Sequence, residues 1–331
     1  MGVTFPSGEL SPADSAVMET FVVPRYLSFY GELALELVLA GEGARIVHIG
    51  CRTGYPDRQL CELAAQAEIV SLDASPAALD LAKGKLGPDA SLPIEYLLAN
   101  ELPTGLDAGS FSHALCLHPL GSTQERAALY REMYRLLCDE GQALIALPLR
   151  GSFQEVGDLF REYALKHDDG DLGKTVEEAM ATRHSIETLS EEIEASGLDD
   201  VDIEVRSVTL TFDSGRAFVD DPVTRLLILP ELAAALGGVD LEKPLAYCRD
   251  AIDKYWSEGQ FELTVNVGCG SELDRDLAGA HSATRLHATT TRGCASDLSS
   301  DTARADPAPC PQCRPRCAGT NCAETANRPF R

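Results

Sequence analysis

The chain has 331 residues, 44% of them hydrophobic, and a formal net charge of -24 at pH 7. That length and apolar content allow a sizeable core, built as one large domain or two smaller ones at roughly 150 residues each. The charge is uneven. From Asp274 onward there are 8 Arg against 6 Asp+Glu, so residues 1 to 273 carry -26, and such a body repels phosphate backbones and anionic lipid surfaces. Nucleic acid and membranes are therefore excluded as expected partners.

No window reaches the roughly 18 consecutive apolar residues of a membrane span. The start, "MGVTFPSGELSPADS", lacks the basic head and apolar centre of a secretory signal, which gives a cytoplasmic protein as the expectation. Five of the eleven cysteines, Cys51, Cys61, Cys116, Cys138 and Cys248, lie in apolar patterns where reduced cysteine acts as a small core residue.

Residues 26 to 40, "YLSFYGELALELVLA", read as an amphipathic helix closed by Gly41. "ARIVHIG" is a short apolar run suited to a strand buried on both faces. A helix near 57 to 66 and a second strand, "EIVSLD", follow. "ASPAALDLAKGKL" opens a helix with Ser75 as N-cap and Pro76 at the first helical position. "LPIEYLLA" and "SFSHALCLH" give strands three and four, a helix covers about 122 to 138, and "GQALIALPL" is strand five. Strands alternating with helices predict a parallel, doubly wound sheet.

Beyond this half, helices near 153 to 167 and 185 to 196 precede a long alternating strand, "VDIEVRSVTLTF". A mostly helical insert covers about 214 to 256, and "QFELTVNVGCG" is the seventh strand. Two late strands separated by a helical excursion suit an antiparallel edge on a parallel sheet. From 272 on the apolar periodicity ends. Residues 272 to 331, rich in Ser, Thr, Ala, Arg, Pro and Cys and without lysine, read as a low-complexity, disordered tail on a domain spanning 1 to 271. Its Cys310, Cys313, Cys317 and Cys322, with His281 and His287 upstream, lack the longer loop between two cysteine pairs that zinc sites use, so no metal is assigned.

In an open parallel sheet, ligands bind beyond the carboxyl ends of the strands where the strand order reverses. Strand one ends at Gly50, strand two at Asp73, strand three near Asn100 and strand four near His118. Asp73, at a strand tip after a glycine turn, can accept both hydroxyl protons of a ribose; its bland alternative is a helix-capping acid before Ser75-Pro76. A nicotinamide dinucleotide is excluded because its fingerprint needs glycine where Arg52 and Tyr55 stand.

"VHIGCRTG", "VSLDASPAALDLAKGKL", "GSFSHAL" and "YREMYRLLCDEGQALIALP" resemble, in order and spacing, the motifs of the class I S-adenosylmethionine-dependent methyltransferases, and more narrowly of their type 11 group. The resemblance runs from about Tyr26 to Gly270. It implies a Rossmann-like α/β fold with a mostly parallel seven-stranded sheet, S-adenosylmethionine as cofactor, and methyl transfer to a small-molecule acceptor. Position by position, it implies that Gly50, Cys51 and Gly54 match the turn that passes under the methionine part of the cofactor, with Arg52 a candidate cofactor-binding residue within that turn. It places Asp73 at the ribose and Ala74 beside the adenine, Asn100 and Glu101 near the adenine amine, and Leu117 and His118 beside the sulfonium.

This sequence departs from the family pattern at four positions. Arg52 replaces the middle glycine, His48 stands where strand one usually carries an acid, Leu98 aligns with the acid before the adenine loop, and Ser112 replaces the acid of "SFD". Two readings of Arg52 stay open: a solvated side chain, or a two-pronged pair with the carboxylate of methionine or of a substrate. His118 is the candidate base, against a packing role before Pro119. Tyr26 and Tyr30 are core residues of their helix or a lid over the cofactor, and His48 and His113 read as packed and hydrogen-bonded. The function class that competes with an enzyme is a non-catalytic module that keeps the fold and has lost the cofactor site.

Overall fold

Seven strands run in the order β4-β3-β2-β6-β7-β9-β8, where β2 is Arg45–Ile49, β3 Glu68–Asp73, β4 Ile94–Leu98, β6 Phe111–Leu117, β7 Leu137–Pro148, β8 Val201–Phe212 and β9 Phe261–Glu272. The first five are parallel; β9 is antiparallel to both β7 and β8. This is the expected doubly wound sheet with an antiparallel edge. The computed structural model describes residues 3–86, 92–199 and 201–272, so the tail from 273 on, with Cys310, Cys313, Cys317, Cys322, His281 and His287, lies outside the described residues.

The central strands are buried on both faces because helices cover both. Ile46 and Leu115 belong to one apolar cluster, shared with the helices α6 (Gln154–Lys166) and α11 (Glu242–Tyr255). Val47, Ile49, Ala114 and Cys116 belong to the other, shared with α5 (Thr123–Leu136). Alternate side chains of a strand point to opposite faces, so one strand feeds both cores. The start of α5 is fixed by a capping box, Ser122 with Glu125, and α4 (Pro76–Leu86) begins as the Ser75-Pro76 chemistry predicts, with Ala78 N donating to Ser75 Oγ. Among the described residues no helix is long and apolar enough to cross a membrane.

Two expectations about helices are corrected. The first helix does not start at Tyr26: α1 (Pro12–Val17) runs on through a π-helical stretch, Met18–Leu27, into α2 (Ser28–Leu37). Pro24 inside this run removes a donor, and a proline in a helix interior normally breaks the ladder; the wider π ladder carries the chain past it. A helix also forms at Gly170–Ala181, α7, with Asp169 as its N-cap, where two glycines weaken the periodic signal.

The insert is helical as expected: α9 (Gly215–Asp220), a π-helical turn Thr224–Ile228, α10 (Leu229–Ala235) and α11. At the other end of the chain, a two-residue strand, β1 (Val3–Thr4), pairs antiparallel with β5 (Glu101–Leu102). That pairing lays the N-terminal segment across the carboxyl ends of the central strands.

Candidate active site

The strand order reverses between β2 and β6, so the crevice opens where Ile49 and Leu117 end. The turn after β2 uses two glycines in left-handed backbone, Gly50 at φ +77° and Gly54 at φ +80°. At Gly54 a Cβ would sit 2.5 Å from Tyr96 Oη, so only glycine fits. Arg52, between them, also adopts a left-handed φ of 49°, which costs a non-glycine residue roughly 1–2 kcal/mol. Its N–H donates to Asp73 Oδ2 at 2.8 Å, and that charge-assisted bond helps hold the turn.

The Arg52 side chain points inward and is 3% exposed. Its Nη1 donates to Leu117 O at 2.9 Å and to Gly50 O at 3.4 Å, and its Nη2 donates to His118 O at 2.8 Å. One guanidinium thus joins the ends of β2 and β6 across the crevice. This corrects the solvated reading of Arg52, whose fork is taken up by backbone carbonyls. Burial lowers its pKa, opposed by the negative charge of Asp73.

Asp73 stands at the tip of β3, facing this turn, and is 0% exposed. Oδ1 accepts from Ser75 N at 2.8 Å while Oδ2 takes the Arg52 N–H. Ala74 beside it is half-buried, whereas Asn100 and Glu101 are exposed. Glu101 pairs with Thr4 in the β1–β5 ladder. Beyond that ladder Phe5, Pro6 and Ser7 are buried. Leu120 N donates to Pro6 O at 2.7 Å, Ser75 Oγ donates to Leu10 O at 2.9 Å, and a Cβ at Gly50 would lie 3.6 Å from Ser7 Cβ. The segment therefore crosses all four strand ends.

His118 follows β6 with a left-handed φ of 49° and is fully buried. Its Nε2 is 3.0 Å from Tyr26 Oη, which is 2.7 Å from Tyr30 Oη, so both tyrosines are core residues and partners of His118. Burial, with the nearby Arg52 cation, pushes the His118 pKa down to about 3. The imidazole is neutral at pH 7, and its basicity is far below that of a free histidine.

His48, on β2, confirms a packed role: Nδ1 is 2.6 Å from Asp57 Oδ1, and Asp57 Oδ2 accepts from Ser71 Oγ at 2.7 Å. The acid that strand one lacks is supplied by α3 (Asp57–Leu63). This is not a nucleophile triad, because the Ser71 hydroxyl bonds the carboxylate rather than the imidazole and all three residues are at most 1% exposed. Leu98, by contrast, is 54% exposed at the end of β4.

A cavity of about 290 Å³ lies on the far side of His118, at the ends of β6 and β7. Pro119, Leu147 and Pro148 form its floor, and Ala234 and Ala235 of α10 its roof. Its polar wall is Arg126, Arg183, His184 and Glu231. Arg183 pairs with Glu231 at 2.5 Å, Arg126 lies 3.5 Å from Glu192, and His184 also bonds Glu192. Glu231 Oε2 is 3.5 Å from His118 Nε2, and burial raises the Glu231 pKa against the pull of Arg183. Sequence reasoning missed these four residues. They come from three separate segments, α5, the turn after α7 and α10, and the one local signal, the Ser122-x-x-Glu125 cap that opens α5, locates only Arg126.

The cofactor implied by the resemblance does not fit the crevice as it stands. A ribose bonded to Asp73 needs a carboxylate oxygen open to the crevice, and Asp73 is fully buried. The place beside the ends of β2 and β6 holds the Arg52 guanidinium.

Comparison with known proteins gives a family match over residues 47–145, to a methyltransferase domain. Among solved structures, the YcgJ protein of Bacillus subtilis aligns at 12% identity with a TM-score of 0.47, covering 75% of this chain and 99% of that one. A phosphoethanolamine N-methyltransferase 2 of Haemonchus contortus, solved with phosphomonomethylethanolamine and S-adenosylhomocysteine, aligns at 13% identity with a TM-score of 0.43, covering 80% and 61%. A precorrin-6y C5,15-methyltransferase of Geobacter metallireducens aligns at 13% with a TM-score of 0.38, covering 72% and 85%. No curated protein matches the sequence.

Proposed function

We propose that this chain, whose residues 47–145 match a methyltransferase domain, is a class I S-adenosylmethionine-dependent methyltransferase whose methyl acceptor is a small polar molecule bound in the 290 Å³ cavity at the ends of β6 and β7. The observation that carries this reading is the cavity's place. It adjoins the switch-point crevice through His118 and is roofed by the helical insert, and its volume suits a small molecule rather than a polymer.

The chain's own groups can be assigned roles there. Arg126 and Arg183 orient polar oxygens of the acceptor, since a guanidinium fork matches carboxylate or phosphate geometry. Glu231 takes up the proton that an acceptor oxygen or nitrogen loses, because a carboxyl raised by burial is a better base than an ordinary one. His118, neutral and bonded to Tyr26, fixes the end of β6 beside the cavity as a positioning residue, with its Nε2 3.5 Å from Glu231 Oε2. S-adenosylmethionine is the donor the family implies, and Gly50, Cys51, Gly54, Asp73, Ala74, Asn100, Glu101 and Leu117 are proposed to border it once the crevice opens.

The test is transfer of radiolabelled methyl from S-adenosylmethionine to a panel of small amines, carboxylates and phosphates, comparing the full chain with Ala234→Trp. Ala234 is an exposed residue of α10, so the variant fills the cavity without disturbing the core. A loss of at least about tenfold in transfer, with donor binding unchanged, is the expected result. Undiminished transfer by Ala234→Trp rules out this cavity as the acceptor site.

A further inference from the structure

We infer that Arg52 is an internal stand-in for the cationic end of the methyl donor, and that with residues 3–11 it keeps the donor crevice shut until the donor displaces it. The inference rests on the donor assignment made above and adds a regulatory device to it. Three carbonyl oxygens, of Gly50, Leu117 and His118, converge on the guanidinium. Carbonyl oxygens so grouped make a region of negative potential that selects a cation, and a low-dielectric crevice strengthens the preference. A donor carrying an ammonium and a sulfonium offers the same charge to the same oxygens.

The backbone says the same thing as the side chain. A left-handed φ at a non-glycine residue is a strained state that persists only where its surroundings hold it, and Arg52 and His118, the two residues joined by the guanidinium, both have φ 49°. Asp73 completes the closed arrangement by spending one oxygen on the Arg52 N–H and the other on Ser75. Pro6 and Ser7 lie over Gly50, anchored to Leu120 on one side, while Leu10 is anchored to Ser75 on the other. Opening requires Arg52 to leave its three carbonyls and the strap to lift from Gly50.

A binding site that must open first binds more weakly by the fraction of molecules already open. Removing the internal occupant raises that fraction. The experiment is calorimetric titration of the full chain, Arg52→Gly and Arg52→Lys with S-adenosylhomocysteine, which keeps the ammonium, with thermal melting of each to verify folding. Arg52→Gly is expected to bind at least about tenfold more tightly than the unaltered chain, and Arg52→Lys, which keeps a cation but not the fork, to fall between them. If Arg52→Gly is folded and binds no tighter, or more weakly because Arg52 grips the ligand's carboxylate, the stand-in is overturned while the donor assignment survives. If none of the three binds at millimolar ligand, the donor assignment falls and the stand-in with it. Should Arg52→Gly not fold, Arg52→Lys decides by the same sign.

Discussion

Two regions meet at His118 and are built in opposite ways. On the β2 side, Arg52, Asp73 and the N-terminal strap fill the switch point, and every hydrogen-bonding group of Asp73 is satisfied within the chain. On the β7 side, guanidiniums and carboxylates line an open cavity under the helical insert. Both sit at the carboxyl ends of the same sheet, where the fold directs ligands. The contrast shows that a fold supplies the location of a site, while single side chains decide whether that location is ready for use.

The contrast can be broken most strongly beneath the closed region. Asp57→Ala removes the partner of two buried groups, His48 and Ser71, and is expected to cost about 3–5 kcal/mol, measured by urea denaturation. A cost below about 1 kcal/mol contradicts the reading of these three residues as a buried, mutually satisfied network. Tyr26→Phe removes the hydroxyl between Tyr30 and His118 and is expected to cost about 1–2 kcal/mol by the same method. Arg126→Ala, on the wall of the open cavity, is expected to change stability by less than about 1 kcal/mol while lowering transfer activity; a larger loss of stability makes that wall structural instead.

Acid should distinguish the two sides as well. His118 is held down to about 3, against an ordinary value near 6.5, by burial and by Arg52 and Arg183; Tyr26, Tyr30 and Glu231 are its other polar neighbours. A histidine with a depressed folded pKa is neutral in both states above about pH 6.5, so no stability is lost there. Between about pH 6.5 and 3 the unfolded chain binds a proton that the folded chain does not, and stability falls as pH falls, by on the order of 1 kcal/mol per pH unit. His113, pushed down to about 4 by burial, adds to the slope above that value. Denaturation at several pH values should therefore show a shallower acid decline in His118→Asn, and an unchanged slope argues that His118 is accessible to protons.

How much of this was legible beforehand differs by region. The sheet was, because runs such as "RIVHI" and "EIVSLD" can be buried on both faces only between neighbouring strands, and Ser75-Pro76 fixes a helix start whatever surrounds it. The glycine turn and Asp73 were found as neighbours for the same local reasons. The direction of Arg52 was not legible, since its three acceptors include carbonyls 65 and 66 residues away that no pattern near Arg52 announces. Nor was the strap, whose strand is two residues long and owes its place to Glu101, Leu120 and Ser75. The cavity wall was hidden too, because Arg126 of α5, Arg183 in the turn after α7 and Glu231 of α10 meet only through folding.

The closed crevice is tested most directly by nitrogen-15 NMR of the arginine side chains, with the Arg52 signal assigned from Arg52→Lys. A guanidinium held on the carbonyls of Leu117 and His118 should exchange its protons with water far more slowly than exposed arginines such as Arg216, and should become fast when S-adenosylmethionine saturates the chain. Fast exchange at Arg52 in the free protein would contradict the account.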